Sequence, residues 1–93
     1  MTIPTHNHLT KLHWLDRAIE VRQFHISQMK EESNWTVEKT ANILNRSIGS
    51  ISQDLTLASW AKTHDKQLRR CSSMRDALSW IKDKQREMML EEN

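Results

Sequence analysis

The stretch "TVEKTANILNRSIGSISQDLTLASWAK", residues 36–62, contains two apolar patterns with a short polar break between them. Before the break, Val37, Ala41 and Leu44 follow the i, i+4, i+7 spacing of one helix face. The break itself is "NRS" at 45–47. After it, apolar residues return at helical spacing, at Ile48, Ile51, Leu55 and Ala58. We therefore predict one helix over 36–44, a tight turn, and a second helix over roughly 48–62.

The residues around this break suit a helix-turn-helix. Thr36 and Ser47 are good N-caps for the two helices, because a hydroxyl can accept a hydrogen bond from a free backbone N–H. Ala41 is small, as needed where two helices cross closely. Asn45 stands at the turn, and asparagine tolerates the left-handed backbone region better than most residues. We predict a helix-turn-helix at about 36–62.

The rest of the chain indicates an all-α fold. One glycine, one proline and no tyrosine among 93 residues leave few turns and little strand character. We predict a long helix over about 9–30 and a last helix that begins at Ser73 with a capping-box-like spacing to Asp76. The expected fold is a compact four-helix domain over 9–93 after a flexible start over 1–8. The outer helices would serve packing or oligomerisation.

Gly49, the single glycine, stands at the front of the second helix of the pair. Glycine inside a helix costs about 1 kcal/mol relative to alanine, so its use there needs a reason. One explanation is a close approach to the DNA backbone, since free N–H groups at a helix N-terminus favour an anion. The other explanation is that a surface turn tolerates it. On the first explanation, the segment from Ser47 to Gln53 enters the major groove.

The positive charge collects after this segment. The formal net charge is only +2, but residues 62–76 hold five basic residues against two acidic ones. Such a run is either a solvated face or a set of phosphate contacts. Together with the helix front, it completes the predicted DNA-binding set: Arg46, Ser47, Gly49, Ser50, Ser52, Gln53, Lys62, Lys66, Arg69 and Arg70.

The segment "WTVEKTANILNRSIGSISQDLTLASW", residues 35–60, resembles the helix-turn-helix of the ParB/KorB group of partition proteins. Similar segments occur in small phage DNA-binding proteins. The matching pattern is carried by Leu44, Ser47, Ile51, Ser52, Leu55, Leu57 and Ala58. The resemblance implies recognition of a DNA site. Nothing upstream resembles the CTP-binding part of partition proteins, which disfavours a clamp-forming protein.

Other classes of function are disfavoured. Cys71 is alone, so the chain can form neither an internal disulfide nor a cysteine-based zinc site. His6, His8 and His13 are better explained as polar residues near the terminus than as metal ligands. The sequence holds neither a nucleophile motif nor a glycine-rich phosphate loop. We predict no enzyme activity, no metal, no cofactor and no membrane span, and a place in the cytoplasm of a bacterial host cell.

Three functions follow, in order of preference. The first is a double-stranded DNA-binding protein that acts as a homo-oligomer in transcription regulation or partition, with a larger viral or partition enzyme as a possible partner. The second is a small terminase subunit that recognises DNA for viral genome packaging. The third is a protein-interaction module with a helix-turn-helix-like fold and no DNA contact.

Overall fold

The computed structural model describes residues 3–91, and all regular secondary structure in this range is helical. Five helices follow one another along the chain: α1 (His6–Lys11), α2 (Trp14–Glu31), α3 (Val37–Leu44), α4 (Ile48–Arg70) and α5 (Met74–Glu91). The prediction of an all-helical chain is therefore confirmed. The sequence predicts four helices, whereas residues 3–91 contain five. None of these helices has a stretch long and apolar enough to cross a lipid bilayer.

The extra helix arises at the N-terminal side, where the sequence predicts one continuous helix over 9–30. The backbone of Leu12 is extended, with φ −85° and ψ 151°, and it ends α1. His13 then caps α2, since its Nδ1 accepts a hydrogen bond from the Leu15 N–H at 3.2 Å. A histidine ring can therefore restart a helix that the apolar spacing alone describes as unbroken.

The second difference is the length of α4, which extends to Arg70 instead of ending near residue 62. A kink marks the middle of this region, because His64 has non-helical angles of φ −130° and ψ 31°. Its ring packs against Trp60 and Trp80, with centroids 5.2 Å and 5.5 Å away. These aromatic contacts join α4 to α5 at the kink.

Two apolar clusters form the core. The first joins α2, the later part of α4 and α5, through Leu15, Ala18, Leu57, Ala58, Ala61, Leu68, Ala77 and Ile81. The second joins α1, α2, α3 and the start of α4, through Leu9, Val21, Phe24, Ala41, Leu44 and Ile51. Because α2 and α4 contribute to both clusters, they form the frame on which the short α3 is held.

The predicted helix caps are confirmed. The Thr36 hydroxyl accepts a hydrogen bond from the Lys39 N–H at 3.2 Å. The Ser47 hydroxyl accepts one from the Ser50 N–H at 3.1 Å, and Ser73 accepts one from Asp76 at 3.2 Å. Each cap satisfies a backbone donor at a helix start that has no partner within the helix.

Candidate nucleic-acid interface

The turn between α3 and α4 is tight and fully specified by backbone hydrogen bonds. Asn45 adopts the left-handed conformation, with φ 57° and ψ 49°, as the sequence predicts. The Arg46 N–H then donates to the Ala41 carbonyl at 3.0 Å, and the Asn45 N–H donates to the Asn42 carbonyl at 3.4 Å. This pair of bonds is the Schellman arrangement, which ends a helix and reverses the chain direction within a few residues.

A buried ion-pair cluster holds the turn against the rest of the molecule. The Asp54 side chain lies on the inner face of α4 and is fully buried. Arg17 of α2 donates to Asp54 Oδ1 at 3.2 Å, and Arg46 of the turn donates to Asp54 Oδ2. Arg17 also contacts the Met74 sulfur at 3.1 Å. One carboxylate therefore links the turn to α2, and Arg17 extends the link to α5. We call this set the Asp54 cluster.

The sequence predicts that Arg46 contacts DNA, and the predicted site does not include Asp54. In the structure Arg46 is half-buried and its guanidinium is engaged by the Asp54 carboxylate. The burial of Asp54 could have been predicted from its position, because it lies on the same helix face as Ile51, Ala58 and Ala61. A carboxylate among apolar positions at helical spacing indicates a buried acid that needs cationic partners.

The outward face of the first turns of α4 is small and uncharged. Gly49, Ser52 and Gln53 are exposed, as are Thr56 and Ser59 further along the helix. We call these five residues the α4 front. Ser47 is exposed as well, while Ser50 is half-buried and its hydroxyl accepts a hydrogen bond from the Ser47 hydroxyl at 2.9 Å.

Gly49 has no local reason to be glycine. Its φ is not in the positive range. A Cβ built on Gly49 would meet no atom within 4 Å. Within the described residues, alanine would therefore fit at this position without strain. Neither the turn nor the packing of this chain explains the glycine, so the possible explanations are a partner outside the chain or simple tolerance at the surface.

Two isoleucines flank the turn at the surface. Ile43, near the end of α3, is 44% exposed, and Ile48, at the start of α4, is 52% exposed. Single exposed apolar residues are ordinary on protein surfaces. These two lie just before and after the turn segment, and we call them the Ile43–Ile48 edge. This edge is relevant to the choice between nucleic acid and protein as the partner.

The predicted basic residues of α4 all follow Gln53 along the helix, and Lys62 is about one helical turn after Ser59, the last residue of the α4 front. At a rise of about 1.5 Å per residue, Lys62 is about 20 Å along the helix from Gly49. Lys66 and Arg70 lie beyond the kink at His64. Lys62 lines a hollow with Arg22 of α2. Lys66 and Arg70 are exposed. The predicted site residues therefore divide into an uncharged group at the start of α4 and a basic group at its end.

Arg69 is paired within the chain. Its guanidinium donates to Asp65 at 2.7 Å and to Asp16 of α2 at 2.8 Å. The hydrogen bond from Arg69 lowers the pKa of the Asp16 carboxyl below its ordinary value. The bonds to Asp16 and Asp65 in turn raise the pKa of the Arg69 guanidinium. A phosphate would have to compete with two carboxylates for this side chain.

Two basic residues outside the predicted site lie beside Gln53 of the α4 front. Arg75 and Lys82 of α5 line a surface hollow together with Gln53. The signal available in the sequence was their seven-residue spacing, which places both on one face of a helix.

No family model, curated protein or solved structure matches this chain.

Proposed function

We propose that this chain is a double-stranded DNA-binding protein in which α3, the turn and α4 act as a helix-turn-helix. The observation that carries the proposal is the α4 front, which is exposed, uncharged and built of small or hydrogen-bonding side chains. An α-helix with its side chains is about 10–12 Å across, and the major groove is about 12 Å wide. A slim front on the entering helix therefore favours a close fit.

The side chains of the α4 front suit base recognition. Gln53 can bond an adenine edge through both its amide oxygen and its amide nitrogen, and the Ser52 hydroxyl can donate or accept. At the helix start, the backbone N–H groups of the first residues lack partners within the helix and attract a phosphate. Gly49 removes the side chain that would hold this backbone away from DNA.

The Asp54 cluster supports the proposal by fixing the entry angle of α4. Because Arg46 belongs to the turn and Arg17 to α2, the carboxylate holds the helix start relative to the frame of the molecule. A recognition helix needs a defined orientation, since hydrogen bonds to base edges depend on both distance and direction. We assign Arg46 a positioning role instead of a phosphate contact.

One helix-turn-helix reads few base pairs, so we propose that the chain acts as a homo-oligomer on paired half-sites. Met88 and Leu90 are exposed at the end of α5 and are candidate contacts for a second copy. The proposed role is regulation or partition at a short DNA site in a bacterial cell. The second proposed role for the same DNA binding is that of a small terminase subunit, which presents DNA for viral genome packaging as part of a ring.

A protein-interaction module is the competing function, and the Ile43–Ile48 edge is the observation that favours it. An apolar edge next to an uncharged helix front could pack against a partner protein without any phosphate contact. The two functions differ in their response to salt, because neutralisation of phosphates releases counterions and burial of apolar area does not.

The test measures binding of the full chain to a 30-bp random duplex over a series of salt concentrations. We expect log affinity to fall linearly with log salt, and we expect site selection to yield a preferred sequence. Gln53→Ala should then lose about 1–3 kcal/mol on the preferred site and little on random duplex, as for a base contact. A folded chain that binds no duplex at low salt would leave the interaction module.

A further inference from the structure

A continuous groove runs between the α4 front and α5. Two adjoining surface hollows share Gln53, Leu78 and Lys82 as lining residues, so they form one depression. Ser52 and Thr56 of α4 lie on one side of it, and Arg75 and Gln85 of α5 lie on the other. No carboxylate lines this groove among the residues that the structure describes.

The two basic residues of the groove are available for a ligand. Arg75 and Lys82 are exposed, and neither forms an ion pair with another residue of the described range 3–91. Lys84, on the same helix, differs because it pairs with Glu87 at 3.5 Å and lies 6.0 Å from the Trp80 ring centre. Arg75 and Lys82 therefore present positive charge without an internal partner beside Gln53 of the α4 front.

The spacing of these charges fits a run of phosphates. Arg75 and Lys82 are about 10 Å apart along α5 at 1.5 Å per residue. A DNA strand carries one phosphate per 3.4 Å of axis, so this span covers about three phosphates. When the α4 front enters a groove in duplex DNA, a sugar–phosphate backbone must pass beside it. The side of the α4 front that carries Gln53 is the side on which these two cations stand.

We propose that Arg75 and Lys82 are the main phosphate contacts of this chain, and that α5 forms the second side of the DNA-binding surface. This inference rests on the proposed function, and it changes the source of the positive charge. The sequence places that charge on Lys62, Lys66, Arg69 and Arg70, at the far end of α4. The geometry assigns it to α5, directly beside Gln53.

The experiment compares two double variants of the full chain, each of which lowers the net charge by two. R75Q/K82Q removes the groove charges, and K30Q/K84Q removes one exposed charge at the end of α2 and one charge on the opposite face of α5. The slope of log affinity against log salt should fall by about 1.8 in R75Q/K82Q, at about 0.9 per phosphate contact. If the two affinities are equal at 1 M salt, this difference in slope makes the affinity of R75Q/K82Q about 60-fold lower than that of the unmodified chain at 0.1 M salt.

The control should change the slope by less than half as much, and circular dichroism melts should show that both variants are folded. If R75Q/K82Q does not fold, the single variant K82Q should lower the slope by about 0.9. Equal losses in the two double variants would overturn the inference and leave the proposed function standing. Absence of duplex binding by the unmodified chain at low salt would overturn both.

Discussion

The two parts of α4 distribute charge in opposite ways. In the first part, residues 48–59, the only charged side chain is Asp54, and it is fully buried while the outward face is neutral. In the second part, residues 60–70, Ala61 and Leu68 make the interior apolar and the charged residues face outward. The second part follows the usual amphipathic pattern. In the first part the interior is also apolar, but the one charged side chain lies inside instead of outside.

The buried charge of Asp54 indicates that the first part is built for a defined geometry. A buried ion pair costs desolvation, and well-packed apolar residues of similar volume are often as stable or more stable. Asp54 instead connects Arg46 of the turn with Arg17 of α2. We infer that this cluster fixes how α4 leaves the turn, whereas the second part of α4 only has to pack on α2 and α5.

The largest expected effect comes from breaking the Asp54 cluster. Asp54→Asn removes the carboxylate and leaves two half-buried guanidinium groups without their anion. Loss of one partner of a buried pair lowers the free energy of unfolding by about 3–5 kcal/mol. Because both arginines are partly exposed, we expect a loss of about 3 kcal/mol. Urea unfolding monitored by tryptophan fluorescence measures it.

The matched control is the other acid of the same helix. Asp65 pairs with Arg69 in the second part of α4, where both side chains are more than one third exposed. Exposed pairs contribute about 0–1 kcal/mol, so Asp65→Asn should change the unfolding free energy by less than about 1 kcal/mol. Similar losses in the two variants would mean that the two parts of α4 do not differ in the way described.

The next effect concerns pH and the histidine that supports α3. His25 of α2 is buried, and its Nδ1 lies 2.7 Å from the Thr40 hydroxyl, which also accepts a hydrogen bond from the Trp35 indole N–H. Burial lowers the pKa of His25 below its ordinary value. Well above the unfolded value of about 6.5 the ring is neutral in both states and contributes no pH dependence.

As the pH falls below that value, the unfolded chain takes up the proton first and stability decreases until the lowered folded pKa is passed. The slope for one such group is at most about 1.4 kcal/mol per pH unit. His25→Gln should remove this part of the slope between pH 7 and pH 5, whereas His64→Gln in the second part of α4 should retain it. Guanidinium-induced unfolding at a series of pH values measures the slope of unfolding free energy against pH. If His25→Gln kept the slope of the unmodified chain, His25 would not be its source.

The segment that leads into the first part of α4, from Thr36 to Ser47, is where the sequence was most informative. The caps at Thr36 and Ser47 and the left-handed turn at Asn45 follow from local chemistry, because each depends on residues within four positions along the chain. Such features can be predicted from the sequence. The break before α2 could not, because it depends on a histidine ring acting as a cap, which is an uncommon use of that side chain.

The candidate site was predicted in part for a related reason. Gln53 is exposed near the start of α4, as the sequence predicts. Ser50, also predicted to face outward, is half-buried because it lies next to the inward-facing Ile51. The engagement of Arg46 by Asp54 and of Arg69 by Asp16 joins residues from different helices. The proximity of Arg75 to Gln53 also needs the crossing of α4 and α5. Contacts between distant segments are not encoded in the spacing along one helix.

A smaller effect tests the start of α4 directly. Ser47→Ala removes the hydroxyl that accepts the Ser50 N–H, and the loss of such a cap costs about 1 kcal/mol. Ser52→Ala, a matched serine on the α4 front, should change the unfolding free energy by less than about 0.5 kcal/mol. Denaturant midpoints compare the two variants, and equal midpoints would show that the cap adds nothing to the stability of the helix start.

The smallest expected change in stability is a gain, and it concerns the glycine itself. Gly49→Ala places a methyl group in open space on helical backbone, so the free energy of unfolding should rise by about 0.5–1 kcal/mol. Under the proposed function the same methyl group would hold the helix start away from DNA, so duplex affinity should fall. A variant that is more stable and binds more weakly would separate binding from folding at one position. Ser59→Ala, at the far end of the α4 front, is the control. Unchanged affinity in Gly49→Ala would mean that the glycine is only tolerated, and the first part of α4 would then owe its neutral face to something other than close contact with DNA.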